Sequence, residues 1–200
     1  REIAWYKEAE GKRLDFVPTV YSYEPLTLQK INGNSLFKES LTEAEKREVF
    51  ESIVENVSTL HALGDKEILN VRKNNSEAII EKTKKRLDSV SSLVPYMNDE
   101  HIYVNGKKCI NFYKRWELVE VMCDPYLTEN RYKFIHGDIT FSNIIYDKNI
   151  DRAYFIDPRG YYGNIELYGD PDYDWAKLYY SIAGNYDQFN AKNFSLDFEG

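Results

Sequence analysis

The sequence predicts an α+β protein, with a remnant of a small β-lobe over residues 1–32 and a mainly helical lobe over 33–200 that carries one β-hairpin. Three observations lead there. Two stretches near the start, "FVPTVYSY" and "LTLQKIN", are rich in β-branched and aromatic residues. Several segments after Thr42 keep a helical period. Two short apolar runs, "NIIYD" and "AYFID", then interrupt the helical pattern.

Residues 1–10 read as a helix, followed by the two strands, separated at Glu24-Pro25. Thr42 opens "TEAE", a capping box with Glu45, and Val49, Phe50, Ile53, Val54, Val57, Leu60 and Leu63 hold a helical period until Gly64 stops it. A second helix is expected from Ser76 to about Val94, ended by Pro95, and a third from about Asn111 to Met122, ended by Asp124-Pro125. Between them "YVNGKK" predicts a tight turn at Asn105-Gly106. "NIIYD" and "AYFID", joined by the polar "KNID", predict the hairpin. "PDYDWAKLYYSIAG" returns to a helical period, with Asp172 or Asp174 near its start and Gly184 at its end.

Composition bounds the function. A chain of 200 residues with 42% hydrophobic and 30% charged residues suits one sizeable core or two small lobes. The net charge of −7 argues against nucleic acid, whose phosphates require a concentrated basic surface. The densest basic cluster, Lys82, Lys84, Lys85 and Arg86, reads as a solvated helix face. No apolar run approaches the roughly 20 residues of a membrane span, and "REIAWYKEAE" resembles no signal peptide, so no membrane partner and a cytoplasmic location are expected. Cys109 and Cys123 form no CxxC pair and read as free, buried thiols. His61, His101 and His136 are too scattered for a His-rich metal site.

The segment "FIHGDITFSNIIYDKNIDRAYFIDPRG", Phe134 to Gly160, concentrates the chemistry. A hairpin here brings Asn143, at the start of one strand, and Asp157, at the end of the other, to the same end of the ribbon. A carboxylate and an amide oxygen together suit Mg²⁺, which takes one or two protein oxygens and lets phosphates and water complete its octahedron. Asp138, in the preceding loop, is left to accept a proton from a hydroxyl nucleophile.

These residues carry a family resemblance. "HGDITFSN" fits the H-x-D-x-x-x-x-N pattern of the kinase catalytic loop, and "FID" stands where the metal-binding aspartate of the protein-kinase-like fold belongs. Gly137 in place of Arg, and Asp-Pro-Arg in place of Asp-Phe-Gly, look like the small-molecule branch, the aminoglycoside phosphotransferase and choline kinase-like family. "GDPDYDWAKL" resembles that family's aspartate-bearing helix start, "TLHALG" the helix end before its variable insert, and "LTLQKINGNSL" its inter-lobe hinge. No Ala-Pro-Glu follows Asp157, which sets a protein kinase aside.

The resemblance implies a two-lobe, protein-kinase-like fold and an ATP- and Mg²⁺-dependent transfer of the γ-phosphoryl group to a hydroxyl of a sugar, aminoglycoside or amino alcohol. It implies Asp138 as catalytic base, Asn143 and Asp157 as metal ligands, His136 in support, and Asp174 bracing the catalytic loop through backbone N–H groups. The backbone around Gln29, Lys30 and Ile31 would meet adenine, and Glu2 matches the position that pairs with the phosphate-binding lysine. Acceptor specificity would come from about residues 65–130 and 160–170. The family's phosphate loop and lysine strand precede this helix, and neither GxxxxGK nor GxGxxG occurs in the chain, so a chain lacking that half of the site is expected.

Several residues carry two readings. His136 serves catalysis or merely braces its loop; Asp170, Asp172 and Asp174 all suit a helix N-terminus. Arg159 holds a phosphate or anionic substrate, or pairs with a neighbouring carboxylate. Tyr161, Tyr162 and Tyr168 stack on an acceptor or pack in the core, and Glu166, Asp170 and Asp172 suit a cationic acceptor or solvent. The alternative to an enzyme is a non-catalytic nucleotide-binding or interaction module on a truncated kinase-like fold.

Overall fold

A computed structural model describes residues 1–128 and 131–197, and they form a mixed α+β architecture. Two compact units result: Arg1–Lys66 with Arg131–Gly200, and Glu67–Asn130. Residues 1–32 therefore share a unit with the Phe134–Gly160 segment.

The first helix, α1 (Glu2–Lys12), buries Trp5, Tyr6 and Ala9 along one face and ends at Arg13, whose left-handed backbone (φ 56°) returns its N–H to Glu10 O. Strands β1 (Val20–Tyr23) and β2 (Leu26–Leu28) pair antiparallel across Glu24-Pro25. The short β3 (Asn34–Ser35) follows. In α2 (Glu43–Ala62) both halves of the capping box form: the Thr42 hydroxyl accepts from Glu45 N, and Glu45 accepts from Thr42 N. Its face of Val49, Ile53, Val57 and Leu60 is buried as the period predicts, whereas Phe50 stays 42% exposed. Strand β4 (Asp65–Glu67) follows.

The Glu67–Asn130 unit departs from its expected boundaries. Helix α3 (Val71–Asn75) starts earlier than predicted and runs through a wide π-turn at Ser76–Glu81 into α4 (Lys82–Val90). The run ends before Val94 because the Ser89 and Ser91 hydroxyls bond back to the carbonyls of Arg86 and Asp88, competing with helix continuation. At Asn105-Gly106 both residues have positive φ, 50° and 75°, and the turn joins two unforeseen strands, β5 (His101–Val104) and β6 (Lys107–Ile110). The third helix is regular only as α5 (Trp116–Cys123), after a 3-10 turn that the Asn111 side chain caps at Tyr113 N. Ile80, Trp116 and Leu127 form a small core. Cys109 and Cys123 are free but half-buried, not buried as expected, because their elements face little core.

The chain then forms β7 (Arg131–Phe134), β8 (Ile144–Asp147), β9 (Arg152–Phe155), β10 (Tyr161–Tyr162), β11 (Ile165–Glu166), β12 (Tyr168–Gly169), α6 (Asp172–Gly184) and α7 (Tyr186–Asn190). The sheets run β3-β8-β9 and β12-β7-β4, with β10 and β11 a separate pair. The expectation of one hairpin in a helical lobe is thus too simple, because strands of two to four residues carry no readable period. The main core joins α1, α2, β7 and the hairpin: Trp5, Ile53, Val57, Leu60, Ile144 and Phe155 are fully buried. Trp5 stacks on Phe134 at 5.3 Å and donates its indole N–H to Ile135 O at 2.8 Å, which fixes the entry to the loop after β7.

Candidate active site

One buried carboxylate organises the loop between β7 and β8. Asp174, in the first turn of α6, is 0% exposed; its Oδ1 accepts from Gly137 N at 2.7 Å and its Oδ2 from His136 N at 3.0 Å. His61 Nε2, from α2, lies 3.1 Å from Oδ2. These are charge-assisted bonds in a dry setting, the stronger class of hydrogen bond. Gly137 has φ 81°, and a Cβ there would meet Arg159 Cβ at 3.1 Å, so the position favours glycine twice over. Asp170 does a different job, accepting from Asp172 N at 3.0 Å, and Asp172 is exposed.

His136 is completely buried. Asp138 N donates to its Nδ1 at 3.3 Å, so its Nε2 carries the proton and donates to Ile156 O at 3.0 Å. Burial holds its pKa below the usual 6.5, against the opposing pull of the Asp174 and Asp138 carboxylates. The ring thereby ties the loop to the end of β9. The rest of the loop is equally engaged: Phe141 N donates to Ser181 Oγ at 3.1 Å and Ser142 N to Asp187 Oδ1 at 2.8 Å.

Asn143 and Asp157 flank one end of the ribbon. Ile144 pairs with Phe155, and Ile156 N donates to Asn143 O at 3.0 Å, which carries the ladder to the last residues before each side chain. The Asn143 amide nitrogen donates to Asp138 O at 2.9 Å, leaving the amide oxygen for another partner. Asp157 has φ 56°, which turns it out of the strand; it is exposed, and among the described residues its carboxylate has no hydrogen-bond or ion-pair partner. Glu2, half-buried in α1, has its pKa raised above the usual carboxylate range by burial and by the nearby Asp157 carboxylate. An amide oxygen and an unpartnered carboxylate, with a second carboxylate close enough to repel it, fit a hard divalent cation. Among the described residues no group of three or more His, Cys, Asp or Glu side chains could hold a metal, so such an ion would keep several other ligands.

Asp138 is 30% exposed and faces cations. Lys177 Nζ lies 2.8 Å from its Oδ1, and Arg159 Nη2 lies 3.9 Å away. Arg159 also donates from Nη1 to the Tyr173 hydroxyl at 2.6 Å and from its backbone N to His136 O at 2.9 Å. Lys177 was not foreseen, although its place three residues after Asp174 puts both on one face of α6. Of the three tyrosines, Tyr162 is 2% exposed and packs edge-on against Tyr132 and Tyr173, and Tyr168 packs against Phe134. Tyr161 meets cations, with the Arg1 guanidinium 4.3 Å and the Arg159 guanidinium 5.7 Å from its ring.

Gln29, Lys30 and Ile31 follow β2 outside any helix or strand. Gln29 N donates to Thr19 O at 2.8 Å, and its side-chain oxygen accepts from Thr19 N at 3.2 Å, so Gln29 closes the β1–β2 hairpin. Lys30 is exposed and Ile31 buried. Comparison of the chain with family models, with curated proteins and with solved structures gave no match.

Proposed function

We propose that the chain works as an ATP- and Mg²⁺-dependent phosphotransferase of the protein-kinase-like, two-lobe type, passing the γ-phosphoryl group to a hydroxyl of a sugar, aminoglycoside or amino alcohol. The observation that carries the reading is the double clamp of Asp174 on His136 N and Gly137 N, which holds Asp138 beside the ribbon end bearing Asn143 and Asp157. Asn143 Oδ1 and the Asp157 carboxylate would hold Mg²⁺, which supplies charge neutralisation on the phosphates when bound. Asp138 accepts the proton of the acceptor hydroxyl as its oxygen bonds to phosphorus and the bond to the ADP oxygen breaks. Lys177 and Arg159, both on Asp138, are placed to meet negative charge on the group in transfer. With Gln29 N committed to Thr19, adenine contacts fall to the Lys30–Ile31 backbone.

Calorimetric titration with ATP, with and without Mg²⁺, tests the reading beside an Asp157→Asn variant. Metal-dependent binding that the variant loses is expected; binding by neither protein, or equal binding by both, would sink it. The second reading, a non-catalytic nucleotide-binding or interaction module, draws on one observation, the Lys177–Asp138 ion pair that occupies one oxygen of the base. Turnover with any hydroxyl acceptor rules that reading out.

A further inference from the structure

We propose that the acceptor taken at Asp138 is an anionic sugar, bearing a carboxylate or phosphate beside its reactive hydroxyl, and not an amine; this rests on the phosphotransferase reading and narrows its acceptor class. Beside Asp138 the chain gathers cations. Lys177 Nζ and Arg159 Nη2 share a single oxygen, Asp138 Oδ1, at 2.8 and 3.9 Å. The Arg1 guanidinium joins Arg159 at the Tyr161 ring, 4.3 and 5.7 Å from its centre, and has Glu166 as counter-ion at 3.7 Å. Three cations thus meet two carboxylates, one of them the base itself. Among the described residues Lys177 pairs with Asp138 alone, and Arg159 adds only the Tyr173 hydroxyl, at 2.6 Å from Nη1, so ammonium hydrogens and the guanidinium Nε–H remain for a ligand. The Lys177 and Arg159 side chains are 19% and 18% exposed, which leaves them in reach of solvent but weakly screened.

The surroundings disfavour an amine. Tyr161 faces Arg1 and Arg159, Tyr173 faces Arg159 and Lys177, and Tyr180 faces Lys177, so an ammonium seeking these rings would crowd a cation already in place. Glu166 is taken by Arg1, and Asp170 is 5% exposed and accepts from Asp172 N, which leaves only Asp172 of these acids in solvent. A carboxylate or phosphate, by contrast, matches the guanidinium fork and the ammonium with charge-assisted bonds. The group in transfer meets these cations only as its charge shifts, whereas a fixed anion on the acceptor anchors the reactive hydroxyl at Asp138 before the step.

Glucuronate, glucose 6-phosphate, glucose and glucosamine share one hexose frame and differ in charge. Each is titrated into the whole chain without nucleotide and followed by amide NMR. The anions are expected to saturate while shifting the amides of Tyr161, Tyr173 and Lys177, the tighter of them binding at least about tenfold more tightly than glucose. Which anion is tighter distinguishes carboxylate from phosphate, and glucosamine should shift none of these amides. Lys177→Met and Arg159→Met should each weaken the anion about tenfold, and Lys177→Arg should retain it. ATP with Mg²⁺, added to the saturated chain, should bind without displacing the anion. Anions bound no better than glucose, glucosamine bound as tightly as they are, no shift at these amides, or displacement by ATP with Mg²⁺ overturns the proposal. Saturation by the anions with no binding of ATP sinks the phosphotransferase reading and leaves the anion site standing, so the two failures are told apart.

Discussion

Asp174 shows how much a single residue carries, because three donors from two elements converge on one buried carboxylate. In Asp174→Asn the amide nitrogen must face one of these donors, so one bond is lost and a buried N–H is left unpaired. The expected cost is about 2 to 4 kcal/mol, read from urea unfolding; a loss below about 1 kcal/mol would mean that the clamp does not fix the loop. Asp138→Asn, by contrast, alters a partly exposed carboxylate and should leave stability and ATP binding in place while lowering turnover about 10²- to 10⁴-fold. His136 supplies a pH dependence. Its folded pKa lies below the ordinary 6.5, so the unfolded chain binds the proton first, and the contribution to stability is full above that value and lost as pH falls. The slope approaches about 1.4 kcal/mol per pH unit for one proton. Glu39, Glu45 and Asp65, whose pKa values are lowered, act below their ordinary 4.5, 4.5 and 3.8, and Glu2, whose pKa is raised, works in the opposite sense. Urea midpoints between pH 6.5 and 4.5 in metal-free buffer, compared with His136→Gln, isolate the histidine; identical slopes in both proteins would refute its share.

At the scale of elements, α2 is the clearest case of sequence dictating structure, since Thr42 and Glu45 satisfy each other's backbone N–H groups and the following period supplies the core face. Thr42→Ala removes the cap and should lower stability by about 1 kcal/mol in thermal or urea unfolding; an unchanged midpoint would show that the helix start is held by its packing alone. The β8–β9 hairpin was equally legible, because each strand is a continuous apolar run bounded by polar turn residues. The short strands β3, β4 and β12 were not, since their pairing depends on partners distant in sequence, as where Ser35 meets Ile145, and β10 and β11 pair locally but at two residues each carry no readable period. Gly184 ends α6, as the sequence predicts. The left-handed cap falls to the next residue, Asn185, φ 49°, and a Cβ at Gly184 would meet Tyr180 Cδ2 at 3.0 Å, so the glycine also eases packing at the helix end. The order of His136, Asp138, Asn143 and Asp157 could be read from the sequence, but Lys177 could not be paired with Asp138, because the contact requires α6 to be docked against the loop.

At the scale of the molecule, the sequence of the Glu67–Asn130 unit is inserted into the chain between the start of β4 and the start of β7. β4 and β7 adjoin in one sheet, and Arg131 Nη2 sits 2.8 Å from Asp65 Oδ2, with Lys133 at 3.8 Å from the same oxygen, so the chain leaves and re-enters at nearly the same place. The two units differ in core quality. Trp5, Ile53 and Phe155 are fully buried in the larger, whereas Ile80, Trp116 and Leu127 retain 6 to 7% exposure in the smaller. Local opening free energy follows buried apolar contact, so backbone amides of 67–128 should exchange with solvent faster than those of α2, β8 and β9. Replacing 67–130 by a short Gly/Ser linker closes a small gap between paired strands at little entropic cost. It should leave the α1, α2 and hairpin core folded with a nearly unchanged urea midpoint, because none of that core's buried residues is removed. Under the phosphotransferase reading the shortened chain should still bind ATP with Mg²⁺, since Asn143, Asp157, Lys30 and Ile31 all remain, while its use of hydroxyl acceptors changes. An unfolded product would show that the two units share one cooperative core; a folded product that no longer binds ATP, where the whole chain does, would place nucleotide contacts within 67–130 and away from the segment after β2.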